Sequence, residues 1–154
     1  MNPKINVRKA IPADAGTIAD FNIAMALETE NKELSPDKIR PGVRALFSMP
    51  EYGFYLVAEI DREVAGSLMI TYEWSDWRNG FFWWIQSVYV KPEFRRQGVY
   101  QEMFSFIKEL AGRNSEICGC RLYVEHNNSI AQGTYKSLGM NETHYKMFEE
   151  VFHE

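Results

Sequence analysis

Histidines, cysteines and long apolar runs are scarce in this chain, and each scarcity closes off a class of function. The three histidines, His126, His144 and His153, are scattered without the spacing of a ligand set, so no metal site is expected. Cys118 and Cys120 stand one residue apart with no second pair elsewhere. They read as packed thiols near the start of a strand in preference to a redox or zinc centre. No apolar run approaches the roughly 18 residues of a membrane-spanning helix, which argues against a membrane partner. The stretch Met1-Asn2-Pro3-Lys4 lacks the apolar core of a secretory signal, making a cytoplasmic address the default expectation. Basic charge is not in excess either. Lys and Arg number 17 against 21 Asp and Glu, a net charge of −4, which speaks against the basic face that a nucleic-acid partner requires. Linkers, repeats and low-complexity stretches are missing too, so residues 1–154 are expected to form one domain.

What is present is the composition of a soluble globular protein, with 45% hydrophobic residues in 154, enough to bury a core. Ile5 to Ala10 alternates apolar and polar residues and predicts a first strand. Pro12-Ala13-Asp14 supplies a turn and an N-cap for a helix carrying Ile18, Phe21 and Met25. Ser35-Pro36 starts a second helix, with Ile39, Val43, Leu46 and Phe47 on one face, ending before Pro50. Gly53 to Ile60, Val64 to Tyr72 and Phe81 to Val90 then read as an antiparallel meander, joined by Asp61-Arg62-Glu63 and by the polar loop Ser75 to Gly80. The last of these strands is apolar on both faces, with Trp84, Val88 and Val90 on one and Trp83, Ile85 and Tyr89 on the other. Such a strand needs cover above and below the sheet. A helix with Val99, Met103, Ile107 and Leu110 follows, and then a strand over Arg121 to Val124. Asn127-Asn128-Ser129 caps a helix that Gly139 stops, and Tyr145 to Phe152 reads as a closing strand. The expectation is an α/β domain in the order β-α-α-β-β-β-α-β-α-β, with a mixed sheet.

The segment Gln86 to Tyr100 carries the chemistry. A strand punctuated by Pro92 runs into a short basic turn with one glycine, and a helix begins at Val99. Backbone N–H groups at such a helix start point one way, and with the helix dipole they suit a phosphate-bearing anion. Arg95 and Arg96 add charge that does not titrate near neutral pH, and Lys91 lies close by. Glu28, Glu30, Glu33, Glu73 and Asp76 fall in other segments. That separation fits a basic cofactor pocket and an acidic region for a cationic second substrate, although ordinary solvated charge explains the acidic residues equally well.

Two motifs resemble those of the GCN5-related N-acetyltransferases. That family's phosphate loop reads Gln or Arg, two residues, Gly, one residue, then Gly or Ala. Arg95-Arg96-Gln97-Gly98-Val99-Tyr100 matches at Arg95 and Gly98 and departs at Tyr100. The second motif pairs an Asn with an Ala three residues on, a Tyr seven on and a Gly eleven on, which Asn128, Ala131, Tyr135 and Gly139 all match. The resemblance is strongest from about Gly53 to Met140. It implies the acyl-CoA N-acyltransferase fold of that family (GNAT), a mostly antiparallel sheet with helices on both faces.

It also implies acetyl-CoA as cosubstrate, without a metal. The pyrophosphate would rest on N–H groups of Arg96, Gln97, Gly98, Val99 and Tyr100, with Gly98 allowing close approach. The pantetheine arm would run along the strand at Val88 and Val90. The Val88 N–H would hold the oxyanion of a direct attack, and Tyr135 would protonate the leaving thiolate. The alternative is a core tyrosine, because Tyr135 shares a helix face with Ala131 and Leu138. Asn128 either binds the pantetheine or simply caps its helix. The Tyr100 side chain would either crowd the cofactor or turn to the core beside Phe104.

No base is assignable. Gln86 occupies the likeliest strand position and cannot take a proton usefully, while Glu28, Glu30 and Glu73 are weak candidates, each readable as a solvated carboxylate. Trp83 and Trp84 read as core, and Trp74 and Trp77 as loop aromatics for an acceptor or a subunit interface. The expected activity is acetyl transfer to a primary amine, with a small cationic amine favoured as acceptor and a homodimer a reasonable expectation. A noncatalytic acyl-CoA-binding sensor is the alternative. A Rossmann nucleotide domain fits poorly, since the glycine spacing is not G-x-G-x-x-G.

Overall fold

The computed structural model of the protein describes residues 3–154; Met1 and Asn2, half of the N-terminal stretch read above, lie outside the described residues. They group into two compact units, one ending at Leu122 and the other running from Tyr123 to Glu154.

The first unit is built on five strands whose order in the sheet is their order in the chain. They are β1 (Ile5–Lys9), β2 (Gly53–Ile60), β3 (Glu63–Ser75), β4 (Gly80–Val90) and β5 (Ile117–Arg121). Neighbours pair antiparallel except β4 and β5, which are parallel because a helix carries the chain back between them. Three helices accompany the sheet: α1 (Ala15–Glu30), α2 (Pro36–Phe47) and α3 (Val99–Gly112). Ala15, Ile18 and Ala19 of α1 join Val43 and Leu46 of α2 over Tyr55 and Val57 of β2. Side chains alternate along a strand, so Leu56 and Ala58, both fully buried, face the other way, where α3 packs against β1, β2 and β3. Helices thus cover both faces of a mixed sheet, as the sequence leads one to expect.

Local chemistry sets the element ends. Asp14 precedes α1, but its carboxylate does not cap the helix. It accepts from the Ile11 N–H at 2.8 Å and from Arg8 Nη1 at 2.8 Å, and Arg8 Nε also reaches Glu59 Oε1. These bonds fasten β1 to the start of α1. At the other end of α1, Asn31 adopts the left-handed conformation (φ 50°), a role its short polar side chain tolerates. Pro36 opens α2 behind Ser35 as expected.

The face assignment within β4 needs correction. Tyr89 pairs with Ser67 and Gln86 with Met69, so three steps along β4 match two along β3. The extra residue is a bulge, and Ser87 within it has φ 53°. Tyr89 therefore shares the face of Trp84 and Gln86, and Val90 shares that of Trp83 and Ile85, the reverse of strict alternation. β5 also lies earlier than the predicted Arg121 to Val124. Gly119 lets it approach β4, since a Cβ there would lie 2.8 Å from a carbon of the Phe82 ring. Cys118 is exposed, not packed, with Sγ 3.2 Å from Phe81 O.

The second unit holds one helix, α4 (Ser129–Ser137). Its end is a Schellman motif, in which Gly139 N–H donates to Lys136 O and Met140 N–H to Tyr135 O, both at 3.1 Å, with Gly139 at φ 97°. The closing strand expected over Tyr145 to Phe152 does not form. The segment has no regular structure and no strand pairs with it among the described residues. Extended backbone needs a neighbour for its hydrogen bonds, and Glu149-Glu150 breaks the apolar alternation. Tyr145, Met147, Phe148, Val151 and Phe152 consequently stand exposed. Among the described residues no helix is long and apolar enough to cross a membrane.

Leu56→Ala, at a site with 0% exposure, is expected to cost about 2–5 kcal/mol in urea unfolding. A second expectation concerns acid. The Arg8 hydrogen bond holds the Asp14 carboxyl below its ordinary value, against the upward push of burial. The resulting stability is complete above the ordinary carboxylate range and is lost as pH falls through the lowered value. Unfolding curves taken from pH 7 down to about pH 3 should show a shallower loss for Asp14→Asn than for the parent.

Candidate active site

β4 ends at Val90, and Pro92–Phe94 forms a single 3-10 turn, with Phe94 N–H bonded to Lys91 O at 2.9 Å. The chain then passes through Arg95 to Gly98 into α3. Arg96 (φ 64°) and Gly98 (φ 85°) are both left-handed. A Cβ on Gly98 would meet only Gln101 Oε1, at 3.7 Å, so glycine is required there by backbone conformation and not by crowding. Among the described residues, the N–H groups of Arg96, Gln97, Gly98 and Val99 have no hydrogen-bond acceptor. Four donors without acceptors at the positive end of a 14-residue helix have the chemistry that suits an anion. The Tyr100 ring stacks on Phe104 with centroids 6.1 Å apart, the inward of its two expected placements.

The three basic residues of this region differ in what they do. Lys91 pairs with Glu63 at 2.9 Å and Glu93 at 3.3 Å, and Glu63 above all raises its pKa. Arg95 donates from Nε to Val90 O and from Nη2 to Glu28 Oε2, each at 2.8 Å. Arg96 enters no ion pair among the described residues, so its charge remains available to a ligand.

β4 pairs with β5 only from Phe81 to Trp84. From Ile85 to Val90 it has a strand partner on the β3 side alone, so this half presents an open backbone edge within the first unit. Val88 and Val90 lie on that half, beside the bulge and directly before the loop. Gln86 donates from Nε2 to Thr71 Oγ1 at 2.9 Å, which fixes its amide in place.

The carboxylates considered as bases are placed apart. Glu28 accepts from Arg95 and, at 3.2 Å, from the Tyr89 hydroxyl, and Arg95 foremost holds it below the usual carboxylate range. Glu73 accepts from Arg121, whose guanidinium lies 3.7 Å from the Phe82 ring centroid. Glu30 is exposed at the end of α1. Trp83 is buried, while Trp74 and Trp77 are exposed at the β3–β4 turn. No cluster of three His, Cys, Asp or Glu able to hold a metal occurs among the described residues.

In the second unit Asn128 caps α4, its Oδ1 accepting from the Ala131 N–H at 3.1 Å. Tyr135 lies one helical turn beyond Ala131, and burial raises its phenol pKa above the ordinary value. Sequence reasoning missed Ser87 and Tyr89. A left-handed serine carries no sequence signal, and the facing of Tyr89 depends on the bulge it creates.

Residues 22–140 match the acetyltransferase (GNAT) family. The thialysine N-epsilon-acetyltransferase of Sus scrofa is 30% identical over 151 residues, spanning 88% of this chain and 84% of that protein. A possible acetyltransferase from Clostridium difficile 630, known as a crystal structure, is 48% identical with a TM-score of 0.90, over 97% of this chain and 99% of that one. A predicted acetyltransferase from Clostridium acetobutylicum, crystallised with acetyl-CoA, shares the fold at 18% identity and a TM-score of 0.76, over 96% of each chain. The extent of these matches, falling on a sheet and loop of this geometry, shows that the chain belongs to the GNAT family of acetyltransferases, enzymes that use acetyl-CoA as cosubstrate.

Proposed function

We propose that this enzyme moves an acetyl group from acetyl-CoA to a primary amine by direct attack, in the cytoplasm, with a small cationic amine as acceptor. The observation that carries the cofactor's placement is the set of N–H groups on Arg96, Gln97, Gly98 and Val99 without acceptors among the described residues. Already oriented, they would bind a pyrophosphate without ordering long side chains. Tyr100 N–H would join them, Arg96 would add its charge, and Arg95, the loop's first residue, would tie the loop to Val90 O. The open half of β4 would carry the pantetheine through the backbone at Val88 and Val90, with the Val88 N–H facing the oxyanion.

Tyr135 is proposed as the acid that protonates the departing thiolate. Its raised pKa keeps the phenol protonated near neutral pH, as an acid must be. Asn128 would contribute its remaining donors to the pantetheine while still capping α4. This reading requires residues 1–154 to act as a single domain. The relative's name places its acetyl group on the ε-nitrogen of thialysine, an amine, which supports the same bond-forming chemistry here. A cationic acceptor is supported by the exposed Trp74 and Trp77 and by the acidic Glu30 and Glu33. No carboxylate is named as base: Glu28 and Glu73 are each engaged by an arginine.

Homodimerisation belongs to the same reading. The exposed Tyr145, Met147, Phe148, Val151 and Phe152 give a segment apolar enough to be covered by a second copy.

Calorimetric titration is expected to show saturable binding of acetyl-CoA, weaker binding of dephospho-CoA, and none of NAD. Tyr135→Phe should keep that affinity and slow turnover about 10²–10⁴-fold, the range for loss of a general acid. An unchanged rate would remove Tyr135 from the mechanism. Sedimentation should give a dimer for the parent and a monomer for Phe148→Glu/Phe152→Glu; a monomeric parent would dispose of the dimer.

A further inference from the structure

The guanidinium of Arg95 is turned back along the surface onto β4 and α1. Nε bonds to Val90 O and Nη2 to Glu28 Oε2, each at 2.8 Å, and Cζ lies 5.5 Å from the Tyr89 ring centroid. The other oxygen of Glu28 accepts from the Tyr89 hydroxyl at 3.2 Å. Tyr89 in turn packs on Phe21 of α1, with ring centroids 5.1 Å apart. One carboxylate in the last turn of α1 therefore holds the end of β4 and the first residue of the loop together. Backbone bonds fix the turn before it, Lys91 N–H to Ala65 O at 2.8 Å and Phe94 N–H to Lys91 O at 2.9 Å, while at Arg95 itself the N–H reaches Pro92 O only at 3.3 Å.

We infer that Glu28 is a positioning residue for the cofactor loop, acting through Arg95, and is not the base. The inference rests on the proposed reading of residues 96–100 as the acetyl-CoA phosphate site. The N–H groups there point usefully only if Arg95, where the loop starts, is fixed relative to β4. Arg95 supplies that fixation by bridging Val90 O to Glu28, and Glu28 orients the bridge from a helix that packs against β4. A carboxylate that accepts from a guanidinium and a phenol is held in its charged form and is a weaker base toward an amine than a free one. The pair is also half exposed, with side-chain accessibilities of 43% and 40%. Exposed pairs contribute little to global stability, so removing this one should leave the fold intact while freeing the loop.

The experiment compares Glu28→Ala, Glu28→Gln, Arg95→Ala and the Glu28→Ala/Arg95→Ala double variant with the parent, using acetyl-CoA as the probe. Glu28→Ala is expected to raise Kd and KM for acetyl-CoA about tenfold, with kcat within about twofold and an unaltered pH profile of kcat. Glu28→Gln, which keeps an oxygen for Arg95, should lose less. The double variant should bind no worse than Arg95→Ala, because the two residues act as one unit. A fall in kcat of about 100-fold in Glu28→Gln, with loss of the acidic limb of the profile, would make Glu28 the base and overturn the inference. An unchanged acetyl-CoA affinity in Glu28→Ala would overturn it as well.

If the parent itself fails to bind acetyl-CoA, the cofactor reading falls and the clamp is judged alone. Hydrogen exchange at the Glu102 amide, bonded to Gly98 O at 3.0 Å, reports on the loop without ligand. Glu28→Ala should speed that exchange about fivefold. Equal exchange in the two proteins would show that Glu28 positions nothing.

Discussion

One inserted residue in β4 organises much of the first unit. The bulge at Ser87 reverses which face each later side chain of the strand occupies. Tyr89 consequently turns toward α1, where Phe21 and Glu28 meet it, and Val90 turns toward the start of α3, near Gly66 and Val99. Without the extra residue both would face the wrong helix. Gly66 itself has no room for a side chain, since a Cβ there would lie 2.8 Å from Tyr89 O. Strand, helix and loop thus agree with one another only in the bulged register. A non-glycine residue at positive φ is strained, and the packing on both sides of the strand holds it there.

Charge is distributed so that the loop's backbone donors stay available. Arg8, Arg40, Arg95, Arg113 and Arg121 are each satisfied by a carboxylate of the protein. Lys91, next to the loop, is held by Glu63 and Glu93. Glu28, Glu63 and Glu93 are therefore turned onto cations, and among the described residues no carboxylate accepts from the N–H groups of residues 96–99. In the proposed reading, an anion approaching the start of α3 would meet amides, the helix dipole and Arg96, with Glu28, Glu63 and Glu93 already paired.

Most of the architecture was legible because it depends on patterns that sequence displays directly. β2 runs over the very residues read as a strand, and Pro36, Asn128 and Gly139 mark helix ends through fixed local chemistry. The loop was legible for the same reason, since a strand, a proline, a glycine and an apolar-periodic helix occur in sequence. Three features were not. The bulge depends on register between two strands, and the residue that adopts positive φ is a serine, which advertises nothing. β5 was displaced because Leu122 to Val124 look more strand-like than Ile117 to Arg121, yet Gly119 is what fits beneath Phe82. The C-terminal segment has apolar content without a neighbour to bond, and composition cannot report a missing neighbour. Within the site, the pairing of Glu28 with Arg95 joins residues 67 apart in the chain, a distance that no local pattern spans.

The strands lie in the sheet in the order in which they are made. A chain leaving the ribosome N-terminus first can therefore add each new strand to the exposed edge of the last, with no strand inserted between two that are already paired. β3 and β4 follow β2 through tight turns and need little loop closure, whereas β2 must wait for α1 and α2, and β5 for the whole of α3, to be synthesised. The edge of β4 beside the loop is thus the last to receive a partner, and even then only over its first residues. Within the first unit, the half of the strand beside the loop keeps a strand partner on one side only, through the same connectivity that lets the sheet assemble in sequence.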